Sequence, residues 1–311
     1  MRGHQFQTVI RRRLIQGLVA LLALSIISFI MAHSVGSPLQ VLLPATASPS
    51  QYAALGKTLG LDRPLVVQYF TYLWLMLHGN FGQSVFWHTS VTSVIASHFV
   101  NSLKLGGVAI IATIVISIPL GMTAALWSGK FADQVIRFGS ALGQSVPSFL
   151  VGLLLLQFFS VDLNWFPSSS FGTGPGIYVL PAATLVLFEA PSIIRLIRTQ
   201  AIGELREAYI TFIRINGGNR FTILRHLLPN ALGPALAYAG ADFIRAFLTG
   251  TVVVETIFSW PGVGYLTFQA VQNRDFPVIQ GTLLFVAVIY LLVNLVVDIL
   301  YAVADPRVRL E

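Results

Sequence analysis

The amino-acid sequence predicts an all-α integral membrane protein with six transmembrane helices. Three observations carry that expectation. Apolar residues make up 55% of the 311 residues and charged residues only 10%, where a soluble domain carries about 25% charge. Six windows are apolar over a length that meets or approaches the helical span of a bilayer, about 20 residues. The basic residues between those windows crowd into alternate segments.

In chain order, the first window is Leu14–Ala32. It follows Arg11, Arg12 and Arg13, as a secretory signal would. Its apolar run is longer than the roughly 7–15 residues of a signal, and no small-x-small cleavage site follows, so it reads as an uncleaved first span. Residues 33–104 form a long second segment whose middle, LVVQYFTYLWLML, reads as an amphipathic or interfacial helix, with Tyr and Trp suited to the headgroup level. Further spans are Leu105–Trp127, Phe138–Val161, Tyr178–Ile197, Ala231–Ile257 and Thr282–Val303. Residues 162–177 make a short loop rich in Ser, Gly and Pro, and 259–281 another that begins SWPGVG. The expected organisation is an N-terminal span with a long extracytoplasmic segment, residues 1–104, and a five-span core, residues 105–311.

Basic residues orient such a bundle, because Lys and Arg are retained on the cytoplasmic side. With a cytoplasmic N-terminus, fourteen fall inside: Arg2, Arg11, Arg12, Arg13, Lys130, Arg137, Arg195, Arg198, Arg206, Arg214, Arg220, Arg225, Arg307 and Arg309. Three, Lys57, Arg63 and Arg274, fall outside; Lys104 sits at a span edge and Arg245 within a span. The net charge of +7 is therefore topological and calls for no nucleic-acid partner. Both termini are expected in the cytoplasm.

Several chemistries are missing. With no cysteine, disulfide frameworks, thiolate metal sites and cysteine nucleophiles are excluded. QYAALGKT at 51–58 approaches a phosphate-binding loop but has Gln51 where the first Gly belongs. No HExxH, GxSxG or EF-hand loop occurs. His33, His78, His88 and His98 lack i, i+4 spacing and an accompanying carboxylate cluster, and read as ordinary loop or interfacial histidines. The chain shows no catalytic centre, metal site or cofactor site of its own. Any uphill transport has to draw its energy from a partner.

The most informative stretch is EAYITFIRINGGNRFTILRHLLPN, residues 207–230. Residues 204–215 have helical composition. Asn216-Gly217-Gly218-Asn219 breaks the helix, since Gly and Asn tolerate the left-handed conformation of a C-cap. A second amphipathic segment, Arg220–Leu228, follows, and Pro229 suits the start of the next span. Ile210, Phe212, Ile213, Ile223 and Leu224 give this polar connection apolar faces that must press against protein.

Here the residues resemble a known pattern. Glu207-Ala208-Tyr209, Gly217 eight residues after Tyr209, then His226, Pro229 and Asn230-Ala231-Leu232, look like the EAA loop of ABC importer permeases. The subclass resembled is the B-type subunit of the dipeptide/oligopeptide/nickel permeases, and the resemblance covers nearly the whole chain. LGLDRPLVVQYFTYL at 59–73, GNFGQS at 79–84, IPLGMTAAL at 118–126, VVVETIFSWPGVGYL at 252–266, RDFPVIQG at 274–281 and NLVVDILYAVADPRVR at 294–309 match it in order. There are departures. Ile213-Arg214-Ile215-Asn216 stands where the family more often reads Ala-Arg-Ala-Lys, the stretch from Gly217 to His226 is about one residue short, and Gly233-Pro234 replaces an apolar-Pro pair. They bear on the register of docking.

The resemblance implies a type I ABC importer permease fold in a bacterial cytoplasmic (inner) membrane. It implies a second homologous permease, two ABC ATPase subunits carrying ATP and Mg, and an extracytoplasmic substrate-binding protein as partners. The loop at 204–229 would be a coupling helix seated on an ATPase subunit, with Glu207, Ala208, Tyr209, Arg214, Gly217, Gly218, His226 and Pro229 as coupling residues. The subclass handles di- and oligopeptides, nickel or nickel chelates, glutathione and other small solutes.

Charges within spans are costly and usually face a cavity or a partner. Glu189 lies two residues before Pro191, and Asp242 and Arg245 share one helix face. All three are candidates to line a translocation path. Asp242 and Arg245 equally suit mutual neutralisation or pairing with a partner permease. Glu255 and Asp298 read as structural. A receptor or scaffold docking a cytoplasmic partner through 204–229 is the reading from another class. A self-powered secondary transporter should show inverted repeats and midplane acid or histidine chemistry, and the sequence has neither.

Overall fold

The structure, a computed structural model, describes residues 2–34, 47–58, 60–170, 172 and 174–304. All regular elements among them are helical: α1 (Arg2–Ser34), α2 (Pro49–Thr58), α3 (Leu65–Leu77), α4 (Val91–Leu126), α5 (Phe131–Ser145), α6 (Ser148–Leu155), α7 (Gly176–Glu204), α8 (Ala208–Ile215), α9 (Arg220–Ile257), α10 (Val263–Gln272) and α11 (Phe276–Ala304). A π-helical stretch, Leu156–Asp162, prolongs α6. Among the described residues, α4, α7 and α11 (as Phe276–Val296) are each long and apolar enough to cross a membrane. The bent pair of α5 and α6 makes a fourth candidate, and α1 carries the apolar run Ile15–Met31. The helix α9 continues through the window expected at Ala231–Ile257.

Two expectations change. The window Phe138–Val161 is not one straight helix: its two halves bend by 101°. Pro147 has no N–H to donate, and Val146 before it is extended (φ −98°, ψ 127°), the conformation that a following proline favours. The second change concerns Arg220–Leu228, which is no separate short helix but the first turns of α9, so that Pro229 lies inside that helix instead of opening it.

The chain divides into two units. One comprises residues 1–101 and 262–311. In it α1 packs on α11, where a Cβ on Gly17 would rest 3.4 Å from Leu291 and Gln280 donates to the Ser28 carbonyl at 3.2 Å. The expected amphipathic helix at LVVQYFTYLWLML forms as α3 and leans on α1 through its polar edge. Tyr69 meets Ser25 at 2.9 Å, and Gln68 meets His33 at 3.1 Å. Its other face leaves Leu65, Phe70, Trp74 and Leu77 exposed. Asp275, fully buried, organises the rest of this unit. It accepts from Ser84 Oγ at 2.5 Å and from the Phe86 N–H at 3.0 Å, and it receives the Val278 N–H at the start of α11. One carboxylate thus ties GNFGQS to RDFPVIQG.

The other unit, residues 102–261, holds the 204–229 segment. Leu105 and Ala109 of α4, Leu180, Ala182 and Leu185 of α7, and Val254, Phe258 and Trp260 form one apolar core. Glu255 is buried here and accepts a 2.6 Å hydrogen bond from Ser102, cross-tying α9 to α4. A second core joins Met122 and Ala125 of α4, Ile193, Ile197 and Ala201 of α7, and Leu227 and Ala231 of α9. Beside it, buried Asp133 takes a bidentate grip from Arg198 (2.6 and 2.8 Å) and the Gly129 N–H (2.8 Å), fixing the start of α5 to the end of α7. A buried acid holds its charge only when so paired and hydrogen-bonded.

Candidate functional site

The short helix α8 stands between two long ones. Only residues 205–207 separate it from α7, and only 216–219 from α9. Its N-cap is Glu207, extended (φ −67°, ψ 150°) and exposed, its carboxylate placed where the helix dipole favours negative charge. Ala208 is exposed, Tyr209 half-buried and Ile210 fully buried. Burying an Ile side chain is worth about 1.5–3 kcal/mol, so Ile210 anchors the helix.

The far end is a Schellman turn. The Gly218 N–H bonds the Ile213 carbonyl at 2.9 Å and the Gly217 N–H the Arg214 carbonyl at 3.1 Å. Gly217 sits at φ +76°, the left-handed region, and a Cβ on Gly218 would collide with Ile213. Asn219 then caps α9, accepting from the Thr222 N–H at 2.9 Å. Asn216 donates to the Phe212 carbonyl at 2.9 Å, so the Gly-Gly pair and both flanking asparagines each have a local structural task.

Tyr209 links α8 to both neighbouring helices. Its hydroxyl donates to Glu204 Oε2 at 2.7 Å and accepts from Asn230 Nδ2 at 3.2 Å. Asn230 also donates to the His226 carbonyl. Burial, and after it the Glu204 carboxylate, raise the Tyr209 pKa above its ordinary value, so the hydroxyl keeps its proton.

The apolar faces divide. Ile210 and Ile223 are buried, and Ile213 and Leu224 half-buried. Phe212, Ile215 and Phe221 are exposed by 68%, 79% and 75%. Ile215 and Phe221 carry no helical-period signal of their own. What marks them is position, one on each side of the Asn-Gly-Gly-Asn turn. Arg214 and His226 are exposed beside them, and Pro229 is exposed on α9. The arrangement is a compact, tied-down knuckle with an apolar crown.

Of the charges expected within spans, the structure describes the side chain of Glu189. Glu189 is buried in α7. Asp242 and Arg245 lie on α9, and their side chains fall outside the described residues, as does that of Asp298 on α11. No cluster of three metal-ligating side chains occurs among the described residues.

Residues 117–310 match the family described as the binding-protein-dependent transport system inner membrane component. Residues 6–106 match the N-terminal part of the membrane component of such systems. The chain is similar to the glutathione transport system permease protein GsiC of Salmonella typhi, at 35% identity over 96% of this chain and 97% of that one. It is 33% identical to a probable peptide ABC transporter permease protein of Sinorhizobium fredii (strain NBRC 101917 / NGR234), over 96% and 98% of the two chains. It is 34% identical to a putative peptide transport system permease protein of Brucella abortus (strain 2308), over 97% and 99%. A chain in a solved crystal structure of an amino acid ABC transporter is 18% identical, with a TM-score of 0.49 over 70% of this chain and 95% of that one.

Proposed function

Because the chain belongs to the family of inner-membrane components of binding-protein-dependent transport systems, and is a transmembrane subunit of an ABC importer, we propose that it carries di- or oligopeptides, tripeptides such as glutathione included. The observation that carries this reading is the full-length similarity to permeases named for glutathione and for peptides.

As a permease subunit the chain is not itself an enzyme. Two ATPase subunits bind and hydrolyse ATP, a second permease completes the path, and an extracytoplasmic binding protein delivers solute. The knuckle around α8 couples the chain to an ATPase subunit. Glu207, Ala208, Tyr209, Arg214, Gly217, Gly218, His226 and Pro229 shape it, and Phe212, Ile215 and Phe221 supply the apolar contact. What supports this is an exposed crown on a helix that is tied down at both ends. ATP binds more tightly to the closed ATPase pair than to the open one, and that difference is what shifts the permease between its two states. Glu189, Asp242 and Arg245 line the path.

The test is uptake. Cells lacking the chain should lose ATP-dependent uptake of labelled tripeptide and regain it with the wild-type gene. Loss of nickel-chelate uptake alone, with peptides unaffected, would overturn the peptide assignment. The same panel on Arg245→Ala should show altered solute preference. Restored transport in a variant neutral at both Asp242 and Arg245 would assign that pair to mutual neutralisation instead.

A further inference from the structure

We propose that the Tyr209 hydroxyl is a force-transmitting node that locks α8 to α7 and α9 at once, with Glu204 and Asn230 as its positioning residues. This rests on the coupling reading and says which atoms carry the motion inward.

A docked helix can move other helices only if its own attachments are stiff. The backbone attachments of α8 are local hydrogen bonds within its two short connections. Three residues link it to α7, and a glycine-containing turn links it to α9. Side chains that reach past those connections add stiffness, and the two described hydrogen bonds of the Tyr209 hydroxyl do so. One runs to Glu204 Oε2 (2.7 Å), the last residue of α7; the other comes from Asn230 Nδ2 (3.2 Å), on the third turn of α9. The first is charge-assisted and short, the stronger class of hydrogen bond. Asn230 is itself fixed by its bond to the His226 carbonyl.

The node also stands over the right core. Ile197 and Ala201 of α7 pack with Leu227 and Ala231 of α9, and Leu205 and Leu224 flank them. Asn230 adjoins Ala231, and Glu204 lies one turn beyond Ala201. A displacement of α8 taken up at Tyr209 therefore reaches two helices that move as one packed body. Without the hydroxyl, Ile210 would still hold α8 in place by burial, but burial is non-directional and lets the helix rock.

The experiment uses the assembled transporter and reads two quantities, ATPase subunits retained on purification and solute transported per ATP hydrolysed. Tyr209→Phe keeps the ring and removes only the hydroxyl. The expected result is retained ATPase subunits and a fall of roughly tenfold in transport per ATP, the size of one lost hydrogen bond to a charged acceptor. Glu204→Ala should match it, and the double variant should be no worse than either single, since both remove the same link. Glu204→Gln keeps an acceptor oxygen and should recover most of the coupling. Wild-type stoichiometry in Tyr209→Phe would overturn the node. So would additive losses in the double variant, or loss of the ATPase subunits, which would make the hydroxyl part of the dock. The broader coupling reading fails separately, if Ala208→Arg on the exposed face keeps both ATPase retention and transport.

Discussion

Gly217 shows how much one backbone angle decides. At φ +76° with no atom near a would-be Cβ, its constraint is conformational and not steric. A residue with a side chain held there costs about 1 kcal/mol or more, and valine, branched at Cβ, suffers most. Gly217→Val should therefore distort the Schellman turn while leaving membrane insertion and permease pairing intact. ATPase subunits should then co-purify poorly or hydrolyse ATP without transport, and Gly217→Asn should be milder because Asn tolerates the left-handed region. Normal retention and normal transport in Gly217→Val would leave the turn a solvated loop and remove it from the coupling surface. The need for this glycine was legible in the sequence, since Asn-Gly-Gly-Asn between two amphipathic stretches announces a helix stop and a helix start. The Tyr209–Asn230 bond was not, because its partners are 21 residues apart and meet only through the fold. Asp275 is similar. The sequence shows an acid before a proline-containing helix start, and only the fold shows that Ser84 and the Phe86 N–H come to it.

At the scale of elements, hydropathy located helices better than it located their breaks. Apolar windows coincide with the long helices because burial in lipid or protein rewards every residue of the run. A window sum does not register that Pro147 removes one donor, so the expected Phe138–Val161 span ran straight across a bend of 101°. The converse holds at Pro229, where a proline that looked like a helix start lies inside α9. Tertiary packing of Leu227 and Ala231 against α7 carries the helix through it. The crown of the knuckle was half legible. Phe212 stood out as apolar in a polar loop, whereas the exposure of Ile215 and Phe221 depends on how the turn orients α8 and the start of α9. Exposed aromatics that bury on docking contribute about 2 kcal/mol or more where they act as anchors. Phe212→Asp and Phe221→Asp should thus weaken ATPase retention by about tenfold or more. Because both side chains are exposed, the amount of chain in the membrane should stay near wild type. Wild-type retention in both variants would remove the crown from the docking surface.

For the whole molecule, the decisive quantity is which side of the membrane each segment faces, and charge is the physical basis for proposing it. Moving a Lys- or Arg-rich segment across the membrane is disfavoured, and fourteen basic residues against three fall in the segments placed inside when the N-terminus is cytoplasmic. The same orientation puts the knuckle where ATP is available and the segment bearing α2 and α3 where a binding protein delivers solute. If the orientation were reversed, the coupling loop would face away from any ATPase and the mechanism above would have no engine. The chain lends itself to a direct test because it contains no cysteine, so single replacements need no background removed. Ser48, Ser168 and Thr211 are each exposed at their surfaces. Cysteines at Ser48 and Ser168 should react with a membrane-impermeant thiol reagent in intact cells. Thr211→Cys, a small exposed change on α8, should react only after the membrane is opened. Labelling of Thr211→Cys from outside, with Ser48→Cys protected, would invert the bundle and remove the coupling assignment with it.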